Sequence, residues 1–365
     1  MSKTRTTRAV QGFVTSFLQI IILIVLQIVL APVTLRIGGQ EVLGGYSFLM
    51  QVITWASLVD MGFGVAIGRK LAQAHGLDDG HGLFCTVLTT GRTYNLFNNL
   101  VFSVIILSVA CNIGTFLKIS PPLMEEARLS LLVYAAYVFL RTPLSLFGEA
   151  LNSTQLMAHV NVIGIVGNII RLVLSIVMVW VGWGLFGLMM AFIASDLMIT
   201  VAQRLVFKWK YPGDRFAWGF PDMALFKDMF LFGLTFMLMI IAGRLTTSTD
   251  NLLIGFTMGA AAVSVYYTSQ MPGALLYQFI WKITDSAWAG INDLFANGDV
   301  VRLRQVYLKI MKFSLVMGIG LAGGLLAFNQ AAINLRVGPA QYAGDIFTLL
   351  WALYVLVLVI NKVNS

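Results

Sequence analysis

Charge is scarce in this chain. Only 11% of its 365 residues are Asp, Glu, Lys or Arg, against about 25% in an ordinary soluble domain. So few charges could not cover the surface of a soluble fold of this size, so soluble classes are excluded. Cysteine is nearly absent. Cys85 and Cys111 are the two present, and two cannot make a disulfide scaffold. They are expected near opposite faces of a membrane, too far apart to bond. Histidine is rare as well, and His75, His81 and His159 are too scattered to form a metal centre with those cysteines. HExxH and P-loop patterns are both missing, which removes zincin chemistry and an ATP-driven pump. The alternation of apolar and polar residues expected of barrel strands is missing too.

What is present is apolar sequence, 58% of the chain. A disordered chain is excluded by that richness. A bilayer-spanning helix needs about 20 mostly apolar residues. Ten segments qualify: 13–35, 42–67, 94–115, 129–151, 160–181, 184–206, 230–254, 262–288, 313–329 and 343–363. The expected fold class is therefore an all-α polytopic membrane protein of about ten transmembrane helices. No A-x-A-like cleavage site follows the first run, so it reads as a retained helix. With the N-terminus in the cytoplasm, sixteen Lys and Arg fall on the inner side and four on the outer. That asymmetry sets the orientation. The net charge of +8 thus reflects topology and implies no nucleic-acid partner.

An internal repeat runs through the chain. Gly39 and Tyr46 recur as Gly259 and Tyr266, and Gly68 with 74–78 recurs as Gly290 with 296–299. The offset spans six helices, an even number, which describes a parallel repeat about the membrane normal. The expected lobes are 1–215, with helices 1–6, and 216–365, with helices 7–10. Six helices would be expected in the second lobe, so it reads as shortened. Chance recurrence of Gly and interfacial Tyr is the other reading.

Charges within a bilayer cost several kcal/mol unless they face protein or water. The intramembrane set is Asp60, Arg141, Glu149, Arg171, Asp196, Arg244, Asp250, Lys282 and Asp285. At 1.5 Å per residue, Arg141, Arg171 and Arg244 lie within about a turn of the midplane of a ~30 Å core. Three guanidiniums at one depth repel each other unless an anion joins them. Their forked geometry suits phosphate. Local pairing is the alternative, with Asp196 placed to neutralise Arg171. Asn161, Gly164, Asn168 and Arg171 share one helical stripe, which a substrate path or helix–helix hydrogen bonding would explain. Lys282 and Asp285, three residues apart, read as a structural pair. Pro143 and Pro272 are expected kinks. Asp60 and Asp250 are candidates for ion coupling, with a structural role for Asp60 as the other reading. No catalytic residue, metal or cofactor is indicated. The outer loop of 118–128, with only Glu125 and Glu126, is small for a membrane glycosyltransferase or polymerase.

Three stretches carry a resemblance when taken in order: Gly44-Gly45-Tyr46 leading to Ser57-Leu58-Val59-Asp60-Met61-Gly62-Phe63-Gly64; Gly184-Leu185-Phe186-Gly187-Leu188; and Asp250-Asn251-Leu252-Leu253-Ile254 followed by Gly259 and Tyr266. The chain resembles the polysaccharide-export branch of the multidrug/oligosaccharidyl-lipid/polysaccharide (MOP) exporter superfamily, and within it the Wzx-type O-antigen flippases. The resemblance implies two pseudo-symmetric, MATE-like lobes around a central cavity in the bacterial inner (cytoplasmic) membrane. It implies movement of undecaprenyl-pyrophosphate-linked oligosaccharide by alternating access, with membrane lipid and other polysaccharide assembly proteins as partners. It also implies a basic lumen, a role that Arg141, Arg171 and Arg244 would fill, with Asn168 on the Arg171 stripe as a further substrate-binding candidate. Competing classes are a cation-coupled multidrug exporter of the same fold, an integral-membrane polymerase or glycosyltransferase, and a non-transporting scaffold.

Overall fold

The computed structural model describes residues 2–60, 62–75, 80–211, 220–247, 249–296 and 299–364. Side chains are described throughout except at 2–10, 13, 63, 75, 80–81, 235, 236, 239, 246, 247, 279, 282–296 and 363–364. Among the described residues the chain is helical, with no strand. In order the helices are α1 (Ser2–Gly38), α2 (Gln40–Ala56), α3 (Phe63–His75), α4 (Gly80–Cys111), α5 (Ile113–Phe116), α6 (Pro121–Arg141), α7 (Phe147–Ser153), α8 (Met157–Trp180), α9 (Gly184–Lys210), α10 (Met223–Thr247), α11 (Asp250–Thr257), α12 (Ala260–Ala296), α13 (Val300–Val337) and α14 (Asp345–Asn364).

Among the described residues, seven helices are long and apolar enough to cross a membrane. The bent pair Pro121–Leu144 and Phe147–Ser153 makes an eighth. The protein is a multi-pass membrane protein. The two remaining expected spans, 230–254 and 262–288, coincide with α10–α11, which residue 248 outside the described set separates, and with α12, whose side chains are described only in part.

Several expected helices are interrupted. The segment 42–67 is not one helix: α2 ends in a 3-10 turn at Ser57–Asp60, and Gly62 takes φ 68 before α3 begins. A positive φ is cheap for glycine and strained for other residues. Segment 129–151 breaks where expected. Pro143 has no N–H to continue the ladder, the turn Thr142–Leu144 follows α6, and α7 leaves at 42°. Segment 230–254 divides between α10 and α11. Pro272, an expected kink, lies inside α12, which continues through it. Both cysteines lie on α4, which begins before Cys85 and not after it. They stand about 39 Å apart along its axis at 1.5 Å per residue.

The repeat glycines share one local geometry. Gly39 has φ 85 and Gly259 φ 92. Gly39 N–H donates to Thr34 O at 3.1 Å and Gly259 N–H to Ile254 O at 3.0 Å, each five residues back. Each then accepts from the residue four ahead, Leu43 and Val263. This is a glycine-ended helix turning directly into the next helix. In the other matched stretches, residues 76–78 and 297–298 lie outside the described residues.

The chain folds as two compact units, Met1–Val263 and Ser264–Ser365. In the first, α2 is buried through Leu43, Phe48, Leu49 and Val52, with Ile106, Leu131 and Leu185 around it. α8 packs between α1 and α9, and α6 packs on α4 and α9. A second cluster gathers Ile67, Leu71, Val87 and Phe207. α10, assigned by the sequence to the second lobe, packs on α3 and α4 of this unit, and α11 packs on α2. In the second unit, α13 and α14 meet through Leu325, Ala352 and Val355. There the Gln341 carbonyl accepts from Ser269 Oγ (2.9 Å) and Thr268 Oγ1 (3.1 Å). This satisfies polar groups that lipid could not.

Gly255 sets how closely α11 approaches α2, since an added Cβ would stand 2.4 Å from the Phe48 ring. Gly255→Ala should lower stability by about 1–3 kcal/mol through overpacking. Thermal unfolding in detergent checks this, and Phe48→Leu added to the same chain should recover part of the loss. An unchanged melting temperature in Gly255→Ala would refute the close packing.

Candidate functional site

The interruptions surround a cavity of about 420 Å³ within the first unit. Asp60 reaches it from the 3-10 turn after α2, Arg141 from the end of α6, Glu149 from α7 and Arg244 from α10. Asn95, Asn98 and Asn99 of α4 line it, with Tyr134 and Ser145. Backbone at a break in a bilayer is tolerated only where it lines a cavity or packs in protein. The charged side chains sit beside such breaks.

The break at Pro143 is braced from α4. Asn99 Nδ2 donates to Thr142 Oγ1 at 2.9 Å, and Asn95 Nδ2 donates to Ser145 Oγ at 3.1 Å. Those hydroxyls donate onward, Thr142 to Val138 O (3.3 Å) and Ser145 to Thr142 O (2.9 Å). One helical turn further, Ser103 Oγ donates to Ala135 O at 2.9 Å. Asn95, Asn99 and Ser103 are spaced four apart and form one stripe. This brace was missed in the sequence reading. Its signal was three asparagines within five residues of an apolar segment.

Small residues admit the carboxylates. A Cβ on Gly64 would meet Asp60 Oδ2 at 3.5 Å, and one on Gly68 would meet Glu149 Oε2 at 3.4 Å. Gly64 and Gly68 lie one turn apart on α3, so both carboxylates rest against the same face of that helix. Gly64 N–H also donates to Asp60 Oδ2 at 3.4 Å. Farther along α3, Lys70 is ion-paired with Asp228 of α10. The Lys70 hydrogen bond and charge hold the Asp228 carboxyl below its usual range. Arg69 lies 4.5 Å from the centroid of the Phe232 ring.

The three arginines do not share one environment. Arg141 Nη1 is ion-paired with Asp196 Oδ2 of α9, and the Tyr137 hydroxyl donates to the same oxygen. Asp196 thus pairs with Arg141 and not with Arg171, which corrects the expected pairing. The reason is rotational phase: α6 packs on α9 and brings Tyr137 and Arg141, one turn apart, to Asp196. Arg171 is not among the residues lining this cavity. Its Nη2 donates to the Tyr46 hydroxyl, and its guanidinium lies 4.6 Å from the centroid of the Phe192 ring. Arg244 lines the cavity half-buried. Among the described residues no carboxylate is paired with it.

The stripe on α8 is largely a packing face. Asn161 Nδ2 donates to Ser16 Oγ at 2.8 Å and Thr15 Oγ1 at 3.0 Å, and Gly164 abuts Gln19 of α1. Asn168 is half-buried on α8 and does not line the cavity. Asp250 is exposed at the start of α11 and is not a lining residue. The side chains of Lys282 and Asp285 lie outside the described residues.

Fold and site together define a polytopic helical membrane protein whose first unit holds a charged cavity. Residues 36–342 match the family described as polysaccharide biosynthesis protein, and the chain belongs to that family. Its fold is that of the MATE transporters of the MOP superfamily. An inward-facing multidrug resistance MATE family transporter of that superfamily superposes with a TM-score of 0.71 at 16% identity, over 92% of this chain and 81% of that one. A MATE in the bent conformation gives 0.60 at 15% identity, over 96% and 82%. A MOP superfamily transporter from Pyrococcus furiosus Vc1, with a binding pocket of reverse polarity, gives 0.60 at 15%, over 99% and 84%. No curated protein matches by sequence.

The α4 brace is open to test. Asn99→Leu should cost about 1 kcal/mol, the usual size of an interhelical hydrogen bond in membranes. Adding Asn95→Leu should cost as much again. Denaturant unfolding in detergent measures both, and a double variant as stable as wild type would show that the break needs no brace.

Proposed function

We propose that the protein is a transporter that moves an undecaprenyl-pyrophosphate-linked oligosaccharide, of O-antigen or exopolysaccharide type, across the bacterial inner membrane by alternating access. The observation that supports this reading is Arg244. It is a half-buried cation facing an internal cavity, without a carboxylate partner among the described residues, in a member of a polysaccharide biosynthesis family. An unpaired charge at that depth is costly unless water or an anion compensates it. A pyrophosphate would supply the anion, with Arg141 on the same cavity as a second donor. Asn95, Asn98 and Asn99 offer amides for sugar hydroxyls. Asp60, beside Glu149 against α3, is the coupling residue in this reading. A cytoplasmic N-terminus belongs to this reading, supported by the sixteen-to-four excess of Lys and Arg that it places on the inner side. Membrane lipid and other polysaccharide assembly proteins are the expected partners.

Asp60 and Glu149 also favour a second reading, export of a lipophilic cation, because two carboxylates in one cavity attract positive charge. Uptake of such a cation by proteoliposomes, blocked by Asp60→Asn, would favour it.

In a host whose surface polysaccharide depends on this protein, Arg244→Ala should lower that polysaccharide by about tenfold or more, equivalent to losing at least 1.4 kcal/mol of binding. Protein level should stay normal, and Arg244→Lys should retain part of the activity. Arg171→Gln should behave differently, lowering thermal stability, with polysaccharide falling only in proportion to protein. Full polysaccharide in Arg244→Ala would reject the reading.

A further inference from the structure

We propose that Asp196 is a resident counter-anion that the substrate's pyrophosphate displaces from Arg141, so that Asp196 tunes how tightly substrate is held and how readily it leaves. The inference rests on the flippase reading above and deepens it at the same site.

The geometry of three side chains carries it. Arg141 lines the cavity, while Asp196, which holds its Nη1, does not line it. The carboxylate holds Nη1 and leaves the other donors of a cavity-lining guanidinium uncommitted to it. Arg141 Nε is buried with no hydrogen-bond partner. A guanidinium has five N–H donors in a planar fork. Asp196 takes one, so the capacity for a bidentate phosphate remains. The charge does not remain, because Asp196 neutralises Arg141, and among the described lining residues Arg244 is the cation without a carboxylate partner.

The exchange is affordable because of Tyr137. Removing one partner of a buried ion pair costs several kcal/mol when the other charge is left bare. Here the Tyr137 hydroxyl donates to the same Asp196 oxygen that receives Arg141. When the guanidinium turns to a phosphate, the carboxylate keeps a hydrogen bond. A pyrophosphate carries more charge than one carboxylate and accepts two parallel N–H bonds from one guanidinium. It competes for Arg141 when it is present, and Asp196 recovers Arg141 when it moves on. A carrier needs that reversibility, since two fully uncommitted arginines would bind the headgroup and keep it.

The test measures binding of undecaprenyl pyrophosphate to the purified full-length protein in detergent, with undecaprenol as the uncharged control, and transport of the lipid-linked oligosaccharide in proteoliposomes. Asp196→Asn keeps the shape and removes the competing charge. It should bind undecaprenyl pyrophosphate about tenfold more tightly and transport more slowly, with undecaprenol binding unchanged. Tyr137→Phe should act in the opposite direction on binding: without the hydroxyl the bare carboxylate is costlier, the lipid competes less well for Arg141, and affinity for undecaprenyl pyrophosphate falls along with turnover. Arg244→Ala separates the two levels of the argument. If Arg244→Ala and wild type bind undecaprenyl pyrophosphate no better than undecaprenol, the flippase reading fails. If Arg244→Ala loses the preference but Asp196→Asn binds with wild-type affinity or weaker, the counter-anion inference alone fails. Should Asp196→Asn fail to fold, Asp196→Glu, which lengthens the carboxylate and keeps its charge, must retain wild-type preference for the pyrophosphate within about threefold, and loss of that preference would overturn the inference.

Discussion

A charge inside a bilayer must be paired or wetted, and the arrangement of the first unit follows from how its charges meet that demand. Arg141 is paired with Asp196, and Tyr137 completes the site from the same helix. Arg171 is covered by Tyr46 and Phe192. Arg244 faces the cavity. These are three solutions to one desolvation problem, and only the last leaves net positive charge for a visitor.

The cavity exists because helices stop beside it. Gly62 and the preceding 3-10 turn divide α2 from α3, and Pro143 divides α6 from α7. Each break frees backbone groups that need partners in a membrane. Around Pro143 the hydroxyls of Thr142 and Ser145 supply them, and Asn99 and Asn95 of α4 hold those hydroxyls in turn. The same side chains give the cavity its polar wall. The brace and the lining of the cavity therefore draw on the same residues, and under the proposed function substitutions along α4 would affect both stability and recognition.

Much of this was legible in the sequence. Eight of the expected spans coincide with helices or a helix pair of adequate length and apolarity. The short list of intramembrane charges contained every charged residue of the cavity. The repeat glycines Gly39 and Gly259 were found from spacing alone and share one backbone geometry. What the sequence could not show was phase between helices. Depth along each helix placed Arg141, Arg171 and Arg244 at one level, but which way each side chain turns depends on packing. That packing gave Asp196 to Arg141 and put the Asn161–Gly164 face of α8 against α1. The break at Gly62 was also hidden, because a glycine in an apolar run reads equally as a packing site or as a left-handed turn.

In the proposed function, Arg244 and Arg141 together hold a pyrophosphate headgroup inside this cavity. A cryo-electron-microscopy structure of the full-length protein bound to undecaprenyl-pyrophosphate-linked oligosaccharide tests it most directly. Phosphate density is expected within hydrogen-bond distance of both guanidiniums, with Arg141 turned away from Asp196. Headgroup density lying elsewhere, with Arg141 still held by Asp196 and Arg244 facing only solvent, would contradict it.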